Sequence, residues 1–207
     1  MFDTRARKER RLGMPLFLKP FRSATGKSAI TRRPNRPGQH GASRRRAGSE
    51  FGKQLTEKQK IKYTYGLREK QLRNTFAKAN KSKLPTGQEM LSLLERRLDN
   101  VVFRMGFAPS RSVARQAVGH GHIFVNGRRG SAPSMLIKVG DTVTIRPQSK
   151  DLQIFKDVAE RFAKLQQPNW LTINPQTLQG TVKMLPKDLD AGFDISLVVD
   201  YYSKIVK

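Results

Sequence analysis

Basic side chains supply most of the chemistry this chain could do. Arg96, Asn100 and Arg104 recur at i, i+4 and i+8, so a helix would set them on one face. Arg111 and Arg115 repeat that spacing, Arg44-Arg45-Arg46 form a run, and Lys58, Lys62, Arg73 and Lys78 fall largely off an apolar stripe. Such groups neutralise phosphates and release their counterions, and arginine adds a bidentate fork. Other chemistries fail to assemble. With no Cys there is no disulfide, thiolate or Cys-ligated metal. His120 and His122 bracket Gly121, but two ligands are too few for a structural zinc site, and contact with RNA phosphate or base is the better reading. No serine sits in a nucleophile-elbow context. Gly26-Lys27-Ser28 spells the tail of a phosphate-binding loop, yet Phe21 stands where its first glycine belongs. Asp188, Asp190 and Asp194, near Pro186 and Gly192, read as an acidic surface loop.

The balance of charge points the same way. The 207 residues hold 41 Lys+Arg against 16 Asp+Glu, a formal net charge of +25. Solubility asks for a magnitude of only about 2–8 on a small domain, and a larger excess costs self-repulsion unless a polyanion offsets it. The excess is uneven: net +11 over residues 1–50, +7 over 51–93, +7 over 94–150, and zero over 151–207. Three segments therefore face a polyanion, and the neutral one is left for packing or protein contact. Aromatic residues are 8% of the chain with one Trp, which disfavours a single-strand stacking platform and favours recognition of a folded nucleic acid by shape and backbone. No window approaches about 18 consecutive apolar residues, so no membrane span is expected, and no apolar h-region of a secretory signal follows Met1. Asp3 and Glu9 argue against a transit peptide.

The elements that must carry these groups follow from periodicity. Residues 1–45, with four prolines and four glycines and no sustained apolar period, read as an arm that orders poorly by itself. A helix opens near Thr56, with Ile61, Tyr65, Leu72, Phe76 and Ala79 on its stripe and a break at Gly66. Leu91, Leu94, Leu98, Val101, Val102 and Met105 predict one helix over 88–105, and Ser110 caps another over 111–118, with Arg111 and Arg115 outside. His122–Val125 reads as a strand, Asn126-Gly127 as a type I′ hairpin turn followed by Arg128-Arg129, and Val143 and Ile145 as one face of a second strand. A helix is expected over 151–166, and strands at 170–173, 181–184 and 196–201.

The stretch Leu94-Glu95-Arg96-Arg97-Leu98-Asp99-Asn100-Val101-Val102-Phe103-Arg104-Met105-Gly106-Phe107 resembles the signature of the small-subunit ribosomal protein S-four family. The likeness continues through Ser110-Arg111, Ala114-Arg115, Gly121-His122-Ile123-Phe124-Val125-Asn126-Gly127 and Gly140-Asp141, which resemble the S-four RNA-binding module. Upstream, Pro37-Gly38-Gln39-His40-Gly41 and Gln54-Leu55-Thr56-Glu57-Lys58-Gln59-Lys60 with Tyr65-Gly66 resemble the ribosomal protein itself, as does Pro168-Asn169-Trp170-Leu171 downstream.

The resemblance implies an α+β fold. It comprises a basic N-terminal arm (1–45), a mostly helical domain (46–93) completed by the C-terminal segment 168–207, an inserted S-four module of two helices and a small sheet (94–155), and a connecting helix (151–167). It implies a structural, non-enzymatic, RNA-binding constituent of the small ribosomal subunit. Such a protein would bind a helical junction in the 5′ domain of 16S-class rRNA, nucleate assembly, contact ribosomal protein S-five, line the mRNA entry channel and contribute to translational accuracy. The location implied is a bacterial ribosome in the cytoplasm, with an organellar ribosome as the alternative. Many members carry a Cys-rich zinc site in the arm; with no Cys here, no metal or cofactor is expected. The candidate rRNA contacts are Arg44, Arg45, Arg46, Lys58, Lys62, Arg73, Arg96, Arg97, Arg104, Ser110, Arg111, Arg115, His120, Asn126 and Arg128. Two rivals are an RNA-modifying enzyme that docks through an S-four module and a helix-turn-helix DNA-binding regulator. The first needs a catalytic domain that the residues after position 150 do not supply.

Overall fold

The computed structural model describes the chain except residues 1–3, 17, 19–27, 44–47, 159–160, 163–167, 175, 188–191 and 206–207. The chain is α+β and divides into two compact units, residues 1–87 with 190–207, and residues 88–189.

The first unit is helical: α1 (Thr4–Leu12), α2 (Ala29–Arg32), α3 (Glu50–Thr64), α4 (Glu69–Asn80) and α9 (Ile195–Ile205). Ser49 starts α3 by accepting the Gly52 N–H at 3.2 Å. Gly66, at φ +63°, supplies the left-handed turn that separates α3 from α4. Ile61, Leu72, Phe76, Ala79, Val198 and Tyr202 are buried, and Phe76 stacks on Tyr202 at 5.2 Å between centroids. The expected strand at 196–201 is thus a helix. Val198 and Tyr202 stand one helical turn apart on its buried side, and Asp194 caps it by accepting the Ser196 N–H at 3.1 Å.

The described part of the arm packs within its unit. Leu12 and Leu16 are buried, Lys8 lies 4.6 Å over the Tyr63 ring, and Arg10 Nε donates to the Asn35 carbonyl at 2.9 Å. Two leucines four residues apart are enough to seat a short helix on α3, yet too few to register as a period.

The second unit holds α5 (Thr86–Glu95), whose first turn carries the boundary between the units, then α6 (Leu98–Arg104) and α7 (Arg111–Gly119). The strands are β1 (Ile123–Val125), β2 (Arg128–Arg129), β3 (Thr142–Ile145), β4 (Leu171–Asn174) and β5 (Gln179–Val182), with the short helix α8 (Gln153–Lys156) between β3 and β4. The expected single helix over 88–105 is two. The backbone opens at Arg96-Arg97, where Leu98 N–H donates to the Met135 carbonyl at 2.8 Å and Ile137 N–H to the Arg96 carbonyl at 2.9 Å. The long helix expected over 151–166 begins with α8, and part of that range lies outside the described residues.

The strands form one antiparallel sheet in the order β2-β1-β3-β5-β4. Residues 168–187 therefore belong to this unit, and only the final helix completes the first. That corrects the expectation that all of 168–207 does so. The sheet's inner face (Ile123, Val125, Val143, Ile145, Val182) packs with Leu98, Val101, Val102, Met105, Ala117, Val118 and Phe155. Gly180 is required in β5, because a Cβ there would stand 2.5 Å from the Met105 sulfur.

Candidate nucleic-acid interface

Two carboxylates, not foreseen from the sequence, organise the arginines of the second unit. Glu95 and Asp99 are both buried. Glu95 takes Arg104 as a fork, Nε to Oε2 and Nη2 to Oε1, each at 2.9 Å, and accepts Asn100 Nδ2 at 2.9 Å. Asn100 Oδ1 in turn accepts Arg111 Nε at 2.7 Å, and the Arg111 guanidinium lies 4.5 Å over the Phe103 ring. Asp99 takes Arg97 through Nε and Nη2 at 3.1 and 3.0 Å, and Arg115 through Nε at 2.9 Å. Buried carboxylates demand such partners. Arg111 and Arg115 therefore tie α7 to α6, Arg104 ties α6 to α5, and Arg97 braces the start of α6, so the arginines expected as rRNA contacts are also members of the protein's frame. About a third of each outer side chain remains exposed, 36% for Arg104 and 35% for Arg115. Arg96 donates to the Ile137 carbonyl at 3.1 Å and holds the break between α5 and α6. Ser110 caps α7, its Oγ accepting the Val113 N–H at 3.4 Å.

The hairpin behaves as its turn dictates. Asn126 and Gly127 have φ of +49° and +76°, the two positive values a type I′ turn requires. The Asn126 side chain is committed inside the protein: Nδ2 donates to Asp141 at 2.8 Å and Oδ1 accepts the Thr142 N–H at 2.8 Å. The turn pairs Val125 with Arg128 and Phe124 with Arg129. Because alternate residues face opposite sides, Ile123 and Val125 enter the core while Phe124 and Arg129 share the outer face.

On that face lies a pocket of about 530 Å³ lined by Gly121, Phe124, Arg129, Arg146, Pro147 and Gln148. The Arg129 guanidinium rests on Gly121: a Cβ there would stand 2.3 Å from Nε. Gly121 is also at φ +77°, a backbone conformation that favours glycine. Arg128, Arg129 and Arg146 have no ion-pair partner among the described residues. His122 Nδ1 lies 3.0 Å from Ser149 Oγ, and its ring is 6.0 Å from that of His120, which is exposed. Burial, then the charges of His120, Arg146 and Arg129, hold the His122 pKa below its ordinary value of 6.5.

The remaining sequence candidates divide. In the first unit Lys58 is buried, with Nζ 3.0 Å from Glu69 and 3.3 Å from the Tyr201 hydroxyl, and Lys62 meets Glu69 at 2.9 Å. They join α3, α4 and α9, which corrects their reading as outward cations. Burial alone would raise the Glu69 pKa, but the hydrogen bonds from Lys62, Lys58 and Tyr202 outweigh it and bring it to about 2. Arg73 is exposed on α4. Arg44, Arg45 and Arg46, like Asp188 and Asp190, lie outside the described residues. Arg129, Arg146 and Phe124, which line the pocket, are not among the sequence candidates, although the Asn126-Gly127 turn fixes which residue stands opposite Phe124. Among the described residues no group of three or more His, Asp or Glu could hold a metal ion, and no helix is long and apolar enough to cross a membrane.

Comparison with known proteins decides the family. Residues 2–95 match the family described as Ribosomal protein S4/S9 N-terminal domain, and residues 96–143 match the S4 domain. The chain is 45% identical over 204 residues to the small ribosomal subunit protein uS4 of Syntrophomonas wolfei, covering 98% of each chain. The chain belongs to the uS4 family of small ribosomal subunit proteins. The uS4 proteins of Caldicellulosiruptor bescii and Gloeobacter violaceus are 49% and 47% identical over 197 residues, 94% of each chain. The uS4 family is one of structural ribosomal components rather than enzymes, and these relatives are bacterial. The two family matches meet between Glu95 and Arg96, where α5 gives way to the break before α6.

Proposed function

We propose that this chain is a structural, primary rRNA-binding protein that grips a helical junction in the 5′ domain of 16S-class rRNA and nucleates assembly of the small subunit. The observation that carries the reading is the division of the basic side chains in the second unit. Arg97, Arg104, Arg111 and Arg115 are held by internal acceptors, whereas Arg128, Arg129 and Arg146 stand on the surface with no ion-pair partner among the described residues. A surface that leaves guanidinium groups without counter-charges in a chain of net charge +25 is suited to a phosphate backbone. Family membership supports rRNA as the source of those phosphates, and it supports contact with ribosomal protein S-five, placement beside the mRNA entry channel and a contribution to accuracy.

The test is competition between transcripts of the 5′ and 3′ domains of small-subunit rRNA at matched salt, with chemical footprinting on the preferred RNA. Preference for the 5′ domain by two or more orders of magnitude, with protections gathered at one junction, is the expected outcome. Equal affinity for both transcripts would reduce the protein to a generic polycation and overturn the reading.

A further inference from the structure

The pocket beside Gly121 is built for more than a backbone phosphate. Phe124 is a large aromatic on the side of β1 turned away from the core, and its neighbours there are Arg129 across the hairpin and Thr144 across β3. A phosphate needs donors and gains nothing from a phenyl ring. A nucleobase gains from both, because its π-face stacks on an aromatic ring while its 5′ or 3′ phosphate meets a guanidinium. The volume of about 530 Å³ falls within the roughly 300–1,000 Å³ range of small-ligand sites. A continuous duplex keeps its bases paired and stacked, so it offers no free π-face to insert. Arg129 supplies the positive end of the site, its guanidinium lying over the bare Cα of Gly121. The Arg146 N–H, bonded to the His122 carbonyl at 2.8 Å, fixes the other wall.

We propose that this pocket takes a single unpaired nucleotide of the bound RNA, its base stacked on Phe124 and its flanking phosphate held between Arg129 and Arg146. This rests on the rRNA-binding reading and specifies the ligand at one part of that interface. Phe124 is then a determinant of RNA structure: it favours a bulged or looped-out residue at one position and contributes nothing against a fully paired one. The low aromatic content of the chain argues against a stacking platform along a strand, and one ring in one pocket is consistent with that.

The experiment compares wild type, Phe124→Leu and Phe124→Tyr binding to a 5′-domain transcript of small-subunit rRNA, with thermal melts of each protein. Phe124→Leu should weaken binding about tenfold, in line with the loss of one base–aromatic stack, and one unpaired base protected by wild type should become chemically reactive. Phe124→Tyr, which keeps the ring, should stay within about twofold of wild type with the protection intact. Ultraviolet irradiation of the wild-type complex should give a nucleotide adduct on the peptide containing Phe124, a readout that does not depend on any variant folding. Wild-type affinity and an unchanged footprint in Phe124→Leu would overturn the proposal while leaving rRNA binding standing, as would adducts confined to other peptides. No binding by the wild type would overturn both.

Discussion

At the scale of single residues, what a basic side chain does depends on whether an acceptor inside the protein has claimed it. Asp99 holds two arginines, Arg97 and Arg115, from a buried position. Simple electrostatics says that removing a negative charge from a chain of net +25 should strengthen RNA binding. The structure says the reverse. Asp99→Asn leaves two guanidiniums crowded against a neutral amide and loosens α6 from α7. It should destabilise the protein by about 2–3 kcal/mol and weaken RNA binding, as read by urea denaturation and filter binding. Tighter binding with unchanged stability would show Asp99 to be only a repulsive charge. His122 gives a pH signature. Its lowered pKa means that the folded state disfavours its protonation relative to the unfolded chain. The stability this contributes is present above about pH 6.5 and is lost as pH falls through the lower folded value. In an NMR titration the His122 ring should titrate below 6.5 in the free protein and move upward with RNA bound, because a phosphate near Arg129 and Arg146 favours the imidazolium. No upward movement would place the phosphates elsewhere.

At the scale of elements, helices and turns announced by a residue with a specific backbone role were legible in the sequence. Gly66 ends α3, Ser110 starts α7, and Asn126-Gly127 turns the hairpin as expected. Elements defined by their neighbours were not. The break at Arg96-Arg97 exists because residues 135–137 supply backbone partners there, a long-range fact that an unbroken apolar stripe hides. The last helix was hidden because its valines favour strands locally, whereas packing on α3 decides the matter. Leu12 and Leu16 of the arm are likewise buried by neighbours that no local period announces, and a folded role for that packing is testable. Leu16→Ala should cost about 2–4 kcal/mol, in the range of a buried leucine truncation. It should also speed hydrogen exchange at α3 amides. Wild-type stability in urea would restore the picture of an arm without a folded role.

At the scale of the whole molecule, the basic excess together with the Leu94–Phe107 motif was enough to read the family. The binding surface was only half legible. Spacing along a helix finds cations, but it does not say which of them a buried carboxylate has already engaged, and Glu95 and Asp99 are adjacent to the arginines in sequence without appearing to matter. The hairpin register would have found Arg129, since a two-residue turn fixes the partner of Phe124. The central claim is that the unclaimed cations on the outer face of the sheet carry phosphate contacts while the claimed ones build the frame. A filter-binding salt titration of wild type and the double variant Arg129→Gln, Arg146→Gln on a 5′-domain transcript tests it most directly. The account predicts that the log–log salt slope falls by about two, one for each lost phosphate contact, with thermal melting unchanged because both residues are exposed. A slope equal to that of wild type would contradict it.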